Sequence, residues 1–208
     1  MSSRAVGRPS NTAERREEIV DALLSVMSRT GYEQATIALI ARAAGLAPGL
    51  LHYHFQTKQA ILIALVERIV ARRDQRLAAR LSAAGGEPRG QLLAFIDAHV
   101  ALGDDADPRT VAAWVVVGAE AVRQPEVRAL YTEAIASSLA RARALVAACL
   151  RHQGRSTRNA GRIAAAIVSA IEGAFLVHAS APGTLPDGYA APTLRRMVEG
   201  LLEREVEA

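Results

Sequence analysis

Residues 36–58 leave the backbone little choice. Thr36 is placed to cap a short helix, its hydroxyl accepting from an amide two or three residues on. Ile37, Ile40, Ala41 and Ala44 recur at helical spacing and give that helix one apolar face. Gly45 stands where the chain must leave the helix through a left-handed conformation, which costs glycine nothing. Pro48 suits the first turn of a second helix whose buried side is Leu51 and Phe55. Ala41 is small where two such helices cross. This pattern predicts a helix-turn-helix, whose second helix fits the DNA major groove. The competing reading is an ordinary helical hairpin whose glycines only turn the chain.

Thr36, Ile40-Ala41, Ala44-Gly45-Leu46, Gly49, Phe55, Lys58 and Leu62 together resemble the signature of tetracycline-repressor (TetR) family transcriptional regulators. The likeness extends upstream through residues 12–30 and on into a helix starting near Thr57. It implies DNA contacts at Thr36, Ala47, Pro48, Gly49, Leu50, His52, Tyr53, His54 and Lys58. Tyr53 and His54 resemble positions that hydrogen-bond phosphates, while Leu50 and His52 lie where base edges are met. Lys58, the chain's one lysine, holds a position that pins a phosphate. The chain departs from the family at His52, where a tyrosine is usual, and at Ala47, commonly a serine. The second change removes a helix cap worth roughly 1 kcal/mol.

The remaining sequence reads as helices, with no strand-like alternation of useful length, no repeat and no low-complexity tract. Half of the residues are hydrophobic and 4% are aromatic, which suits closely packed helices. The net charge of +4 says little, but its distribution is uneven. Arginines crowd the start, where Gly7-Arg8-Pro9 is placed to lay Arg8 in an A·T-rich minor groove. The other reading of that arm is a solvated tail. Glu199, Glu203, Glu205 and Glu207 make the C-terminal end acidic. The single Cys149 excludes an intrachain disulfide and fits a reducing cytoplasm. The apolar runs at 110–119 and 164–179 are too short for a membrane span or carry Glu172, and no signal peptide is expected.

Taken in order, the chain divides into a basic arm (1–11), a three-helix head (12–60), a connecting helix (61–84) and a helical ligand-binding and dimerisation body (85–208), with about nine helices in all. Helices are expected near 12–30, with Asn11 and Glu14 as a capping box, and near 57–83. In the body they are expected through Leu92 to Val100, then over 109–123, 125–152, a stretch capped by Ser156 and running to about 180, and 193–205. Gly85-Gly86, residues 103–108 and residues 182–192 read as loops. Trp114, Glu120-Ala121, Pro125-Glu126-Val127, Tyr131 and Ile171-Glu172-Gly173 resemble the betaine-regulator (BetI-like) branch of the same family.

Polar residues stranded on apolar helices mark a candidate pocket, because a buried carboxylate must be paired, protonated or in polar contact. Phe95, His99, Trp114, Glu120, Arg123, Tyr131, Glu172 and Phe175 form that set, and two rings beside a carboxylate favour a cation. The alternative is internal salt bridging and hydrogen-bonded core histidines. Small residues on 157–180 and apolar ones on 193–205 are expected to pair with a second copy in a four-helix bundle. There is no P-loop, dinucleotide fingerprint, nucleophile elbow or metal-ligand spacing, so neither catalysis, cofactor nor metal is expected.

The sequence therefore predicts an all-α homodimeric repressor that binds a pseudo-palindromic operator in double-stranded DNA. A small-molecule effector would tilt the helix at 57–83 and release it. Two rivals are a small-molecule-binding protein whose head has lost DNA binding, motivated by His52, and a ligand-independent nucleoid protein.

Overall fold

The computed structural model describes residues 11–100 and 108–204, and every regular element among them is a helix. These are α1 (Asn11–Gln34), α2 (Ile37–Ala43), α3 (Pro48–His54), α4 (Lys58–Ala83), α5 (Pro88–Val100), α6 (Pro108–Arg123), α7 (Pro125–His152), α8 (Ala160–Ser180) and α9 (Ala190–Arg204). The fold is all-α, as expected. Arg8 and the rest of the arm, most of the 103–108 break, Glu205, Glu207 and the Asn11 side chain lie outside the described residues.

Local chemistry sets the boundaries. Gly31 (φ 76°, ψ 168°) interrupts α1, so the turn that follows it, carrying Tyr32, is redirected. The Thr36 hydroxyl accepts from Leu39 N at 3.2 Å and caps α2. At the other end Leu46 N donates to Ala41 O and Gly45 N to Arg42 O, a left-handed C-terminal cap that requires the positive φ of Gly45. Ala47 makes no side-chain cap, and Pro48 opens α3 instead. Thr57 caps α4 by accepting from Ala60 N at 3.0 Å.

The buried side chains form two clusters. One gathers Ile19, Leu23, Met27, Ile40, Leu51, Phe55, Ile61 and Leu65 with Ala113, Trp114 and Val117 of α6 and Val127 of α7. The other joins Leu77 of α4 to α5, α7, α8 and α9 through Phe95, Ile96, Val146, Ile167 and Val198. The core beneath the helix-turn-helix thus continues into α6. Between α5 and α9, Arg195 pairs with the buried Asp97, its Nε donating to Oδ1 at 2.8 Å.

Three expectations need correction. Helix α9 begins at Ala190 rather than 193, because Pro192 fits a first turn, where a missing N–H loses no hydrogen bond. Ser156 does not cap α8; its hydroxyl accepts from Arg158 N at 3.3 Å and braces the preceding turn. Helix α8, taken whole, is long and apolar enough to cross a membrane by length and composition, which counting uninterrupted apolar runs missed. One face of it nonetheless packs in the second cluster through Ile163, Ile167 and Ile171.

Gly45→Ala should cost about 1–2 kcal/mol in urea unfolding, although no atom crowds the new Cβ, because φ +67° is strained for any L side chain. Gly45→Asn should cost less. Equal losses in both would place the defect outside the turn.

Candidate nucleic-acid interface and ligand cage

Helix α3 is held by few anchors. Leu51 is fully buried and Phe55 is 2% exposed, and both pack in the cluster containing Ala41. The opposite side, with Ala47, Pro48, Gly49, Leu50, His52 and Tyr53, is exposed, Tyr53 to 74%. His54 is half-buried, with the Tyr53 ring edge-on to it at 5.1 Å. Thr36 is exposed at the start of α2. Arg16, not singled out in the sequence, supports this face from α1. Its Nη1 donates to His54 O at 2.6 Å, and its guanidinium lies 3.9 Å from the centre of the Phe55 ring. A cation on the last carbonyl of a helix is favourable.

Lys58 does more than the sequence implied. Its Nζ donates to Tyr32 O at 2.9 Å and Glu33 O at 3.3 Å, and it lies 4.2 Å from the centre of the Tyr32 ring. Two of the three ammonium protons therefore bind α1 to the start of α4.

In the body, four of the eight candidate ligand residues come together. Trp114 Nε1 donates to Glu172 Oε2 at 3.0 Å, and the Tyr131 hydroxyl donates to the same oxygen at 3.2 Å. The two rings lie 4.8 Å apart, tilted by 31°. A Cβ at Gly118 would meet the Tyr131 hydroxyl oxygen at 3.4 Å, an ordinary contact, so Tyr131 lies against α6 at this position. Phe175 follows one turn along α8 and is half-buried. Burial raises the carboxyl pKa of Glu172 above its usual range, opposed by the two hydrogen bonds and by Arg73. Burial, then the charge of Glu172, pushes the Tyr131 hydroxyl up to about 12.

His99 lies beyond this cage, its ring 4.4 Å from that of the fully buried Phe95. Its Nδ1 is 2.8 Å from Phe95 O, and its Nε2 has no hydrogen-bond partner among the described residues. Burial lowers its pKa to about 4, helped by Arg73 and Arg76. Arg73 acts on both His99 and Glu172 and was missed in the sequence. The signal was legible: it falls four residues after Ile69 and four before Leu77, both on the buried face of α4.

Glu120 and Arg123 lie elsewhere. Glu120 is buried, accepts from Gln124 Nε2 at 2.7 Å, and lies near Tyr32, whose hydroxyl is pushed up to about 12 by burial and then by Glu120. Arg123 pairs with Glu33, both largely exposed. The far end of α6 therefore meets the end of α1, where Lys58 is also fastened. Among the described residues no group of three or more His, Cys, Asp or Glu side chains is placed to hold a metal.

Residues 19–65 match the family of bacterial regulatory proteins named tetR, and residues 88–203 match the BetI-type transcriptional repressor C-terminal family. The chain is similar to the HTH-type transcriptional regulator BetI of Rhizobium meliloti, with 39% identity over 117 residues, 56% of each protein. It is similar to BetI of Agrobacterium fabrum with 33% identity over 190 residues, 84% of this chain and 86% of the relative. Among solved structures, a transcriptional regulator from Saccharomonospora viridis in complex with choline superposes with a TM-score of 0.77 at 22% identity, covering 93% of this chain and 97% of that one. One from Pseudomonas aeruginosa PAO1 reaches 0.81 at 19% identity, covering 94% and 93%. At these identities the two structures speak to the fold alone.

Because His99 is held neutral, the unfolded chain takes up a proton between pH 6.5 and about 4 that the folded chain does not. Stability from this residue should thus fall as pH drops through that window, by on the order of 1 kcal/mol per pH unit. His99→Gln should lessen the slope of stability on pH there; an unaltered slope would show that His99 titrates freely.

Proposed function

The chain is a DNA-binding transcriptional regulator of the tetR family, with a C-terminal domain of the BetI repressor type, and from that premise we propose that it is a homodimeric repressor released from its operator by a small cationic effector. The observation that carries the effector's charge is the single Glu172 oxygen shared by Trp114 and Tyr131. Both donors are neutral, so when ionised the carboxylate keeps its negative charge, met by the N–H and O–H edges of the two rings. A quaternary ammonium is attracted by that charge and by the aromatic faces of Trp114 and Tyr131 close to it. The choline held by the Saccharomonospora viridis regulator has this chemistry.

In this reading residues 12–60 form the DNA-reading head and residues 85–208 the effector-binding and dimerising body, joined by 61–84. Arg8, Thr36, Ala47, Pro48, Gly49, Leu50, His52, Tyr53, His54 and Lys58 face DNA. Exposed Leu176 and Val177 on α8 and Met197 and Leu201 on α9 support a subunit contact through 157–180 and 193–205. Two-fold pairing sets the two α3 helices about 34–36 Å apart, one turn of DNA. The protein works in the cytoplasm, on the nucleoid when bound to DNA. The effector signal travels along α6, which holds Trp114 at the cage and Glu120 at the joint with α1. It acts together with a tilt of the 57–83 helix.

Choline or tetramethylammonium should change the fluorescence of the single tryptophan and weaken binding to the protein's own upstream DNA about 5–150-fold, the range of a ~1–3 kcal/mol coupling. Because burial raises the pKa of Glu172, cation affinity should strengthen as pH rises above 4.5 and the carboxyl ionises, and Glu172→Gln should remove that dependence. A cation that leaves both fluorescence and DNA affinity untouched would count against the effector reading.

The roles on α3 separate by specificity. His52→Ala should alter base preference at one position per half-site by about 1–3 kcal/mol, whereas Tyr53→Phe should weaken all related sequences alike. Competition binding against single-base operator variants measures both. Matching profiles for the two variants would contradict this division.

A further inference from the structure

We propose that the effector carries an apolar tail as well as a cationic head, with the head in the cage and the tail in an adjoining cavity. The inference rests on the cationic-effector reading above. A cavity of about 360 Å³ is walled by Val100, Val111, Ala174, Phe175, Leu185 and Tyr189. It begins one step from the cage along each of two helices. On α6, Val111 precedes Trp114 by three residues, and on α8, Phe175 follows Glu172 by three, a rise of about 4.5 Å in each case. Trp114 and Glu172 are joined at 3.0 Å, so α6 and α8 are aligned at the cage, and their next inward residues both wall the cavity.

Phe175 is the shared partition. It packs against both buried clusters and also lines the cavity. The polar groups His178 and Asp187 are exposed and mark the mouth, while the walls nearer Phe175 are apolar. The size falls within the range of small-molecule sites. A compact quaternary ammonium held at Glu172 leaves this apolar surface uncovered. An ammonium bearing an alkyl or acyl chain covers both, and each methylene withdrawn from water is worth about fourfold in affinity.

The test is isothermal titration of the full-length protein with tetramethylammonium and then n-butyl-, n-hexyl- and n-octyltrimethylammonium, each below its micellar concentration. Affinity should climb about fourfold per methylene over the first several carbons and then level off as the cavity fills. Ala174→Leu and, separately, Ala190→Leu each place extra bulk in the cavity and should flatten the climb, with helical circular dichroism confirming that the variants fold. If tetramethylammonium binds but lengthening the chain adds nothing, the tail inference is overturned and the cationic reading stands. An equal climb in the native protein and both variants would place the tail on some other surface, which also overturns it. If no member of the series binds, the cationic reading fails and takes the tail with it.

Discussion

A carboxylate on the most apolar helix of the chain sets the terms for the body. Glu172 sits on α8 with its charged form disfavoured by burial, and its partners are an indole N–H and a phenol rather than a cation. Hydrogen bonds to a charged group contribute about 1.5–3 kcal/mol each, but neutral donors cannot cancel a buried charge. The site therefore holds three helices together while remaining electrically incomplete. Arg73 of α4 lowers the carboxyl pKa less than either hydrogen bond does, and its Nη2 is paired with Asp74 at 3.2 Å. A fully neutralised cluster would be good structural glue and a poor receptor.

The head is tied to the body by a different kind of contact. Lys58, Tyr32, Glu33, Arg123 and Glu120 meet where α1, α4 and α6 converge, and Gln59 Nε2 reaches Glu126 of α7 at 3.1 Å. Several of these links are exposed, and exposed ion pairs contribute little stability. The apolar contacts of Ala113, Val117 and Ala121 beneath them carry more, because they belong to the same buried cluster as Ile40 and Leu51. Movement of α6 is thus felt by the packing that seats α2 and α3.

Much of this was legible in the sequence because it depends on local chemistry. Thr36, Gly45 and Pro48 dictate caps and turns within a few residues of themselves, and the structure places each as read, while Thr57 begins the expected helix and also caps it. Trp114, Tyr131, Glu172 and Phe175 stood out because polarity on an apolar stripe needs a partner. What sequence did not disclose was which stranded residues share a partner. Glu120 and Arg123 looked like members of the same site, yet six and nine residues along α6 from Trp114 carried them to its other end. Arg16 gave no signal, because an arginine among charged neighbours looks the same whether it meets water or His54 O at 2.6 Å. Helix α9 was misjudged at its start because a proline ends helices and begins them equally well.

Helix α8 links the cage to the proposed subunit contact. Glu172 and Ile171 face the interior, while Leu176 and Val177, about one turn on, are exposed at 52% and 37%. If the two copies pair along that face, a shift of α8 at the cage is also a shift at the two-fold axis, and small rotations there are magnified at the distant heads. The energies are of the right size. A cation that draws the Glu172 oxygen from one of its two donors exchanges a contribution of about 1.5–3 kcal/mol. A regulatory coupling needs about 1–3 kcal/mol. One rearranged hydrogen bond at the contact of α6 with α8 is therefore enough to change DNA affinity through α6 and the subunit contact, without unfolding any element.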